Sequence, residues 1–229
     1  MSPLLLLAIL VSASLAIWAV VRTLPFGPWA PALTVLVGGG SLLAAGLVPA
    51  EVLGFAWPTG LDPMSFAALT ALTLVAAQPP NFLAGAAILL IRGRLPPKQR
   101  IYTAMVKGGP LRFVSVQTFA VPPMAFLEEL AFRAILLGVG LSGDSHPLWV
   151  ASLVVIAAAL PFAAGHVRGG EIQMLGTFLS GIVYGVSFIV ADTIWVPVAA
   201  HILHNWFWLA VLRQRYLAET TASNGGPQA

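Results

Sequence analysis

Seven long apolar stretches, separated by short connections, fill most of the chain: residues 3–21, 29–49, 64–91, 113–141, 147–165, 172–191 and 194–212. About 20 mostly apolar residues cross the ~30 Å hydrocarbon layer of a bilayer as a helix. The pattern therefore predicts an all-α, polytopic transmembrane helix bundle of about seven spans, with six to eight allowed. Two stretches are overlong and interrupted by proline pairs, Pro79-Pro80 and Pro122-Pro123. Proline lacks the N–H donor and clashes with the preceding turn, so each pair predicts a kink or a helix restart.

Composition supports this pattern. Of 229 residues, 59% are hydrophobic and only 8% charged, with a mean hydropathy of +0.92. Soluble domains carry about 25% charged residues, so a soluble fold would leave too little polar surface to dissolve. The chain has no cysteine, which removes disulfides, thiolate metal sites and a cysteine nucleophile together. Its net charge of +3 is clustered, and the clustering bears on membrane orientation rather than on nucleic acid, which is not an expected partner.

The connection between residues 92 and 112 holds Arg92, Arg94, Lys98, Arg100, Lys107 and Arg112 without an acid, so it is assigned to the cytoplasm. Counting seven spans outward places Arg22, Arg168, Arg213 and Arg215 on the same side. Glu51, Asp62, Asp144 and Asp192 then fall on the other. The expected protein is a multi-pass protein of a prokaryotic inner membrane, with an external N-terminus and a cytoplasmic C-terminus. No Lys or Arg precedes Arg22, so the first stretch reads as a span rather than a cleaved signal peptide. Residues 1–112 are expected to form N-terminal spans and the basic connection, without a motif. Residues 113–216 are expected to form the catalytic core of the same domain, and 217–229 a disordered polar tail.

Candidate chemistry lies in the second half. Glu128 and Glu129 sit inside Phe126-Leu127-Glu128-Glu129-Leu130-Ala131-Phe132-Arg133. An ionised group at the bilayer centre costs about 2.5–3.5 kcal/mol on insertion scales, so such groups are rare and usually functional. Glu129 and Arg133 are four apart and share a helix face, which predicts an ion pair; Glu128 points about 100° away. One carboxylate is thus held by arginine while its neighbour faces a cavity as a candidate base, although spacing alone leaves open which glutamate does which. His166 follows Phe162-Ala163-Ala164-Gly165, small residues that allow close helix approach. His201 and Asn205, one turn apart, share a face of the last span, while His204 reads as a supporting residue.

Taken in order, Glu128-Glu129-xxx-Arg133, Phe162-xxx-His166 and His201-xxx-Asn205 resemble the CPBP family of intramembrane endopeptidases, which comprises the CAAX proteases and the bacteriocin-processing or abortive infection proteins. Phe132 before the arginine and Ile194-Trp195-Val196-Pro197 before the histidine helix resemble it too. The likeness covers roughly residues 113–212; Ala134 departs from the glycine common at that position. It implies hydrolysis of a peptide bond by a glutamate-activated water. By position, Glu128 would be the base, organised by Glu129 and Arg133. His166 would bind the water, and His201 and Asn205 would stabilise the oxyanion.

Several other readings compete. Two histidines and a glutamate are a common zinc set, which would make the enzyme metalloendopeptidase-like, yet the His-Glu-x-x-His helix is absent. A metal-independent enzyme with no cofactor is favoured, zinc being the alternative. Gly140-Leu141-Ser142-Gly143 matches the short Gly-x-Ser-Gly pattern of rhomboid-type serine proteases, but reads as a loop. A non-catalytic scaffold or immunity protein, or a small proton-coupled transporter, would also carry buried charges; no internal repeat supports a transporter. The expected partners are the lipid bilayer and a peptide or protein substrate cleaved close to the membrane.

Overall fold

The structure, a computed structural model, describes residues 2–21, 29–94, 106–142 and 146–224. Arg22, Lys98, Arg100 and Asp144 of the orientation argument lie outside the described residues, as do Gly143 and positions 225–229. All regular structure among the described residues is helical.

The helices fall where the apolar stretches predict them. They are α1 (Pro3–Val21), α2 (Ala30–Ala44), α3 (Pro63–Ala76) and α4 (Pro79–Arg92), followed by a long composite α5, then α6 (Leu148–Gly165), α7 (Gly170–Ala191) and α8 (Trp195–Asn224). Helix α5 joins Pro110–Ser115, a π-turn at Val116–Ala120, Val121–Glu129, a second π-turn at Leu130–Ile135, and Leu136–Gly140. Taking α3 and α4 as one broken span, these are seven helical stretches among the described residues. Five of them are long and apolar enough to cross a membrane. Helix α2 is apolar but shorter than its predicted span; Ala45 closes it and Gly46, at φ 66°, turns the chain away.

Residues are sorted as lipid solvent demands. Leu90, Ile91, Phe119 and Leu148 are exposed, whereas Glu129, Arg133, His201, His204 and Thr177 are buried. A bundle with apolar groups outside and polar groups inside matches a bilayer, where an unpaired polar group facing lipid is costly.

The two proline pairs act differently. At Pro79-Pro80 the helix stops at Ala76 and restarts with proline in its first turn, where the missing N–H costs nothing. At Pro122-Pro123 α5 does not restart. The chain instead widens into a π-turn, in which the Val121 N–H bonds Val116 O five residues back. That shift leaves the Gln117 carbonyl facing Pro122, which has no N–H to give it. The indole of Trp206 on α8 fills the vacancy, Nε1 donating to Gln117 O at 2.7 Å, while Gln117 Nε2 returns a bond to Trp206 O at 3.2 Å. The proline pair thereby becomes a clasp between α5 and α8 just before the glutamates.

Close helix approach sets the rest of the frame. Helix α7 packs on α6, α4 and α3, and α8 packs on α3, α5 and α7. Gly181 and Gly185 of α7 lie against Ala159, Phe162 and Val155 of α6, leaving no room for a side chain; small residues at such crossings let backbones meet. At one end, Gly54 in the left-handed region (φ 64°) offers its carbonyl to Ile194 N and Thr193 Oγ1, both at 3.0 Å. Trp195 Nε1 bonds Phe55 O at 3.0 Å, and Phe55, Phe126 and Trp195 gather their rings within 6.4 Å of one another. These contacts fix where α8 starts relative to α5. Also at the start of a helix, Asp62 caps α3; bonds from the Ser65 hydroxyl and from the Ser65 and Met64 N–H groups hold its carboxyl below the ordinary value.

At the other end, Arg92 pairs with Glu171 at 2.7 Å, and Arg213 Nη1 bonds Val106 O and Gly108 O at 3.1 and 3.3 Å. The basic connection, the start of α7 and the far part of α8 thus gather together, as the charge pattern requires. One expectation is corrected: α8 does not end at Leu217 in a disordered tail but continues helical to Asn224. Ala218 and Glu219 are good helix formers, and the Thr220 and Thr221 hydroxyls bond carbonyls of the preceding turn.

Candidate active site

The glutamate pair sits where α5 leaves its regular segment Val121–Glu129 and enters the second π-turn. Glu129 is fully buried, and its two oxygens are divided between two partners. Oε2 meets Arg133 Nε at 3.1 Å, one turn along the same helix, and Oε1 meets His201 Nδ1 at 2.7 Å, across from α8. The first contact follows from the spacing; the second is made only by the fold.

Arg133, 1% exposed, is held from several sides. Its Nη2 donates to Gly181 O at 3.3 Å, a carbonyl reached because Gly181 brings α7 close. Its guanidinium carbon lies 4.3 Å from the Phe162 ring centre and 5.3 Å from that of Tyr184. A cation over aromatic faces in a dry setting is stabilised by about 2 kcal/mol or more. Glu129, Arg133 and His201 form one buried polar unit with aromatic walls.

The His201 ring stacks on Tyr184, centres 4.9 Å apart and planes at 19°, and meets Phe162 edge-on at 5.9 Å. With Nδ1 committed to Glu129 and Tyr184 stacked on one face, the ring is held in place, and its Nε2 lies 3.6 Å from Glu128 Oε2. His166, just past the end of α6, is fixed in the same manner: Nδ1 bonds Phe162 O at 2.9 Å and Nε2 lies 3.9 Å from Glu128 Oε1. One carboxylate is therefore flanked by two imidazole Nε2 atoms. Both gaps exceed direct hydrogen-bond length.

A cavity of about 50 Å³ adjoins this cluster, enough for a few water molecules. Phe162, His166, His201, His204 and Asn205 form one part of its wall, and Asn81, Gln173, Thr177, Ser180 and Tyr184 the rest. Glu128 is not a wall residue; it meets the cavity through the two imidazoles. All six predicted site residues are thus brought together, with Asn205 joining through the cavity wall. His204 lines the same cavity, with Gln78 Nε2 at 3.5 Å from its Nδ1. Ser142 bonds Val139 O at 2.9 Å within its own turn and takes no part in the wall, so the serine reading finds no support here. Among the described residues no group of three or more His, Asp or Glu side chains is arranged to hold a metal ion.

Sequence reasoning missed Gln78 and Asn81, which come from the half of the chain without a motif, and Tyr184 with the polar residues before it. Signals existed. The two amides flank the Pro79-Pro80 break, and 173, 177, 180 and 184 step by four, three and four, one face of a helix. The buried Tyr184 hydroxyl has no hydrogen-bond partner among the described residues.

Comparison with known proteins bears on the same region. No curated protein and no solved structure matches the chain. Residues 110–207 match a family model described as type II CAAX prenyl endopeptidase Rce1-like. The match begins with α5 and ends in α8, so it encloses both glutamates, the arginine, all three clustered histidines and Asn205. It is consistent with the CPBP likeness of the motifs. The chain is a multi-pass membrane protein whose residues 110–207, which carry all the clustered site residues, are similar to the Rce1-like endopeptidases.

Proposed function

We propose that the chain is an intramembrane glutamic-type endopeptidase that hydrolyses a peptide bond in a membrane-associated peptide or protein, using a water activated by Glu128. The observation that carries this reading is the position of the Glu128 carboxylate between two imidazole Nε2 atoms, at 3.6 and 3.9 Å. A water seated there touches a base and two ring nitrogens at once. Glu128 removes a proton from the water as its oxygen adds to the substrate carbonyl, and the proton then passes to the departing amine. Glu129, by accepting from His201 Nδ1, fixes the ring so that Nε2 faces the reacting centre. His201 presents its Nε2 to the developing oxyanion, with the Asn205 amide donating beside it. One such positioned donor contributes about 3–4 kcal/mol. Arg133 neutralises Glu129 and positions it, without touching substrate.

This mechanism needs no metal. Cleavage by the purified protein is expected to persist after exhaustive chelation. Loss of cleavage restored by added zinc would overturn the metal-free reading.

The proposed setting is the inner membrane of a prokaryote, with the basic end and the C-terminus on the cytoplasmic side, and a substrate cut close to the membrane. Comparing protein termini between a deletion strain and a Glu128→Ala strain tests the reading and names the substrate. Uncleaved termini common to both strains are expected. Termini altered in the deletion but normal in Glu128→Ala would favour a scaffold instead.

A further inference from the structure

The cavity has two dissimilar walls. One holds the histidines and Asn205; the other is built by Asn81 of α4 and by Gln173, Thr177, Ser180 and Tyr184 of α7. Every group named on this second wall is polar and uncharged. None belongs to the recognised motif residues, and Asn81 lies outside the matched segment altogether. We propose that this wall, with Asn81 as its determinant, is a specificity subsite for a substrate residue with an uncharged hydrogen-bonding side chain: asparagine, glutamine, serine or threonine next to the cleaved bond. The inference rests on the peptidase reading above and adds the substrate class.

Three observations support it. First, the protein places Asn81 deliberately. The break at Pro79-Pro80 restarts α4 two residues before it, and its side chain lies against Gly176 so closely that any side chain at 176 would collide with its Oδ1. Second, polar groups lining a cavity within an apolar bundle call for a polar occupant. Third, charge narrows the choice. An amide and hydroxyl surface has nothing to neutralise a carboxylate or ammonium. Discrimination of this kind is strong, because an apolar residue in the subsite leaves the wall's donors and acceptors unpaired.

The test uses the full-length protein and a library of reporters, each an apolar anchor helix followed by a randomised juxtamembrane segment. Wild type is expected to cleave reporters with Asn, Gln, Ser or Thr at one position beside the cut at least tenfold faster than those with Leu. Asn81→Leu is expected to shift that ratio toward Leu by tenfold or more, and Gly176→Ala to shift it the same way by displacing Asn81. An unchanged ratio in Asn81→Leu, or an equal loss on all reporters, would overturn the proposal. A second arm is independent of turnover: Glu128→Gln protein should retain Asn-bearing over Leu-bearing reporters, and equal retention would overturn the subsite. Cleavage that persists in Glu128→Gln would instead sink the glutamate mechanism and leave the subsite to be judged by the ratio.

Discussion

Replacing Glu128 with glutamine is expected to abolish cleavage while leaving a folded protein. A positioned general base contributes about 10²–10⁴-fold, so the turnover number should fall by at least two orders of magnitude. The substitution keeps size and hydrogen-bonding shape and removes only the capacity to take a proton. Glu128 is also not part of the Glu129–Arg133–His201 unit that stabilises the bundle; its own contacts are the two longer ones at 3.6 and 3.9 Å. Thermal unfolding of the purified variant in detergent should therefore match wild type within a few degrees. Turnover within tenfold of wild type would show that Glu128 is not the base. The contrast with Glu129→Gln is informative: that carboxylate holds His201 and Arg133, so its loss should lower stability and activity together.

Arg133→Met is expected to have the largest effect on folding. Met approximates the length and apolar stem of arginine, so the change mainly removes the cation. It leaves Glu129, fully buried, with an uncompensated charge on one oxygen. Breaking a buried pair from one side costs about 3–5 kcal/mol, a large fraction of the 5–15 kcal/mol that stabilises a typical domain. The packing of the guanidinium on Phe162 and its bond to Gly181 O are lost as well. Unfolding of the purified variant by heat or denaturing detergent should show this loss. Adding Glu129→Leu should restore part of the stability, because the stranded charge is gone, while activity stays absent. An Arg133→Met protein within 1 kcal/mol of wild type would mean that His201 alone suffices to balance Glu129.

The clasp between α5 and α8 illustrates how far local rules reach. A proline pair announces a defect in the hydrogen-bond ladder, and the expectation of a kink or restart follows. At Pro79-Pro80 that reasoning succeeds, because the helix has an end to spare. At Pro122-Pro123 a neighbouring tryptophan supplies the missing donor, so the defect is absorbed by a π-turn and the helix runs on. Nothing in the local sequence distinguishes the two cases. Likewise, the small polar residues after Leu217 suggested disorder, yet the helix continues to Asn224.

The sequence by itself determined the solvent, the fold class and the cast of the site. Charged groups scarce in a long apolar chain admit only a bilayer, and a bilayer admits helices. The Glu129–Arg133 contact was legible because four residues along a helix is a local distance. Tertiary structure alone decided that Glu129 also grips His201, that Glu128 lies between His166 and His201, and that Asn81 from the motif-free half lines the cavity. Those contacts join side chains on different helices. Their geometry depends on crossings set by Gly181, Gly185 and the Gly54 carbonyl, which no periodicity within a single helix encodes.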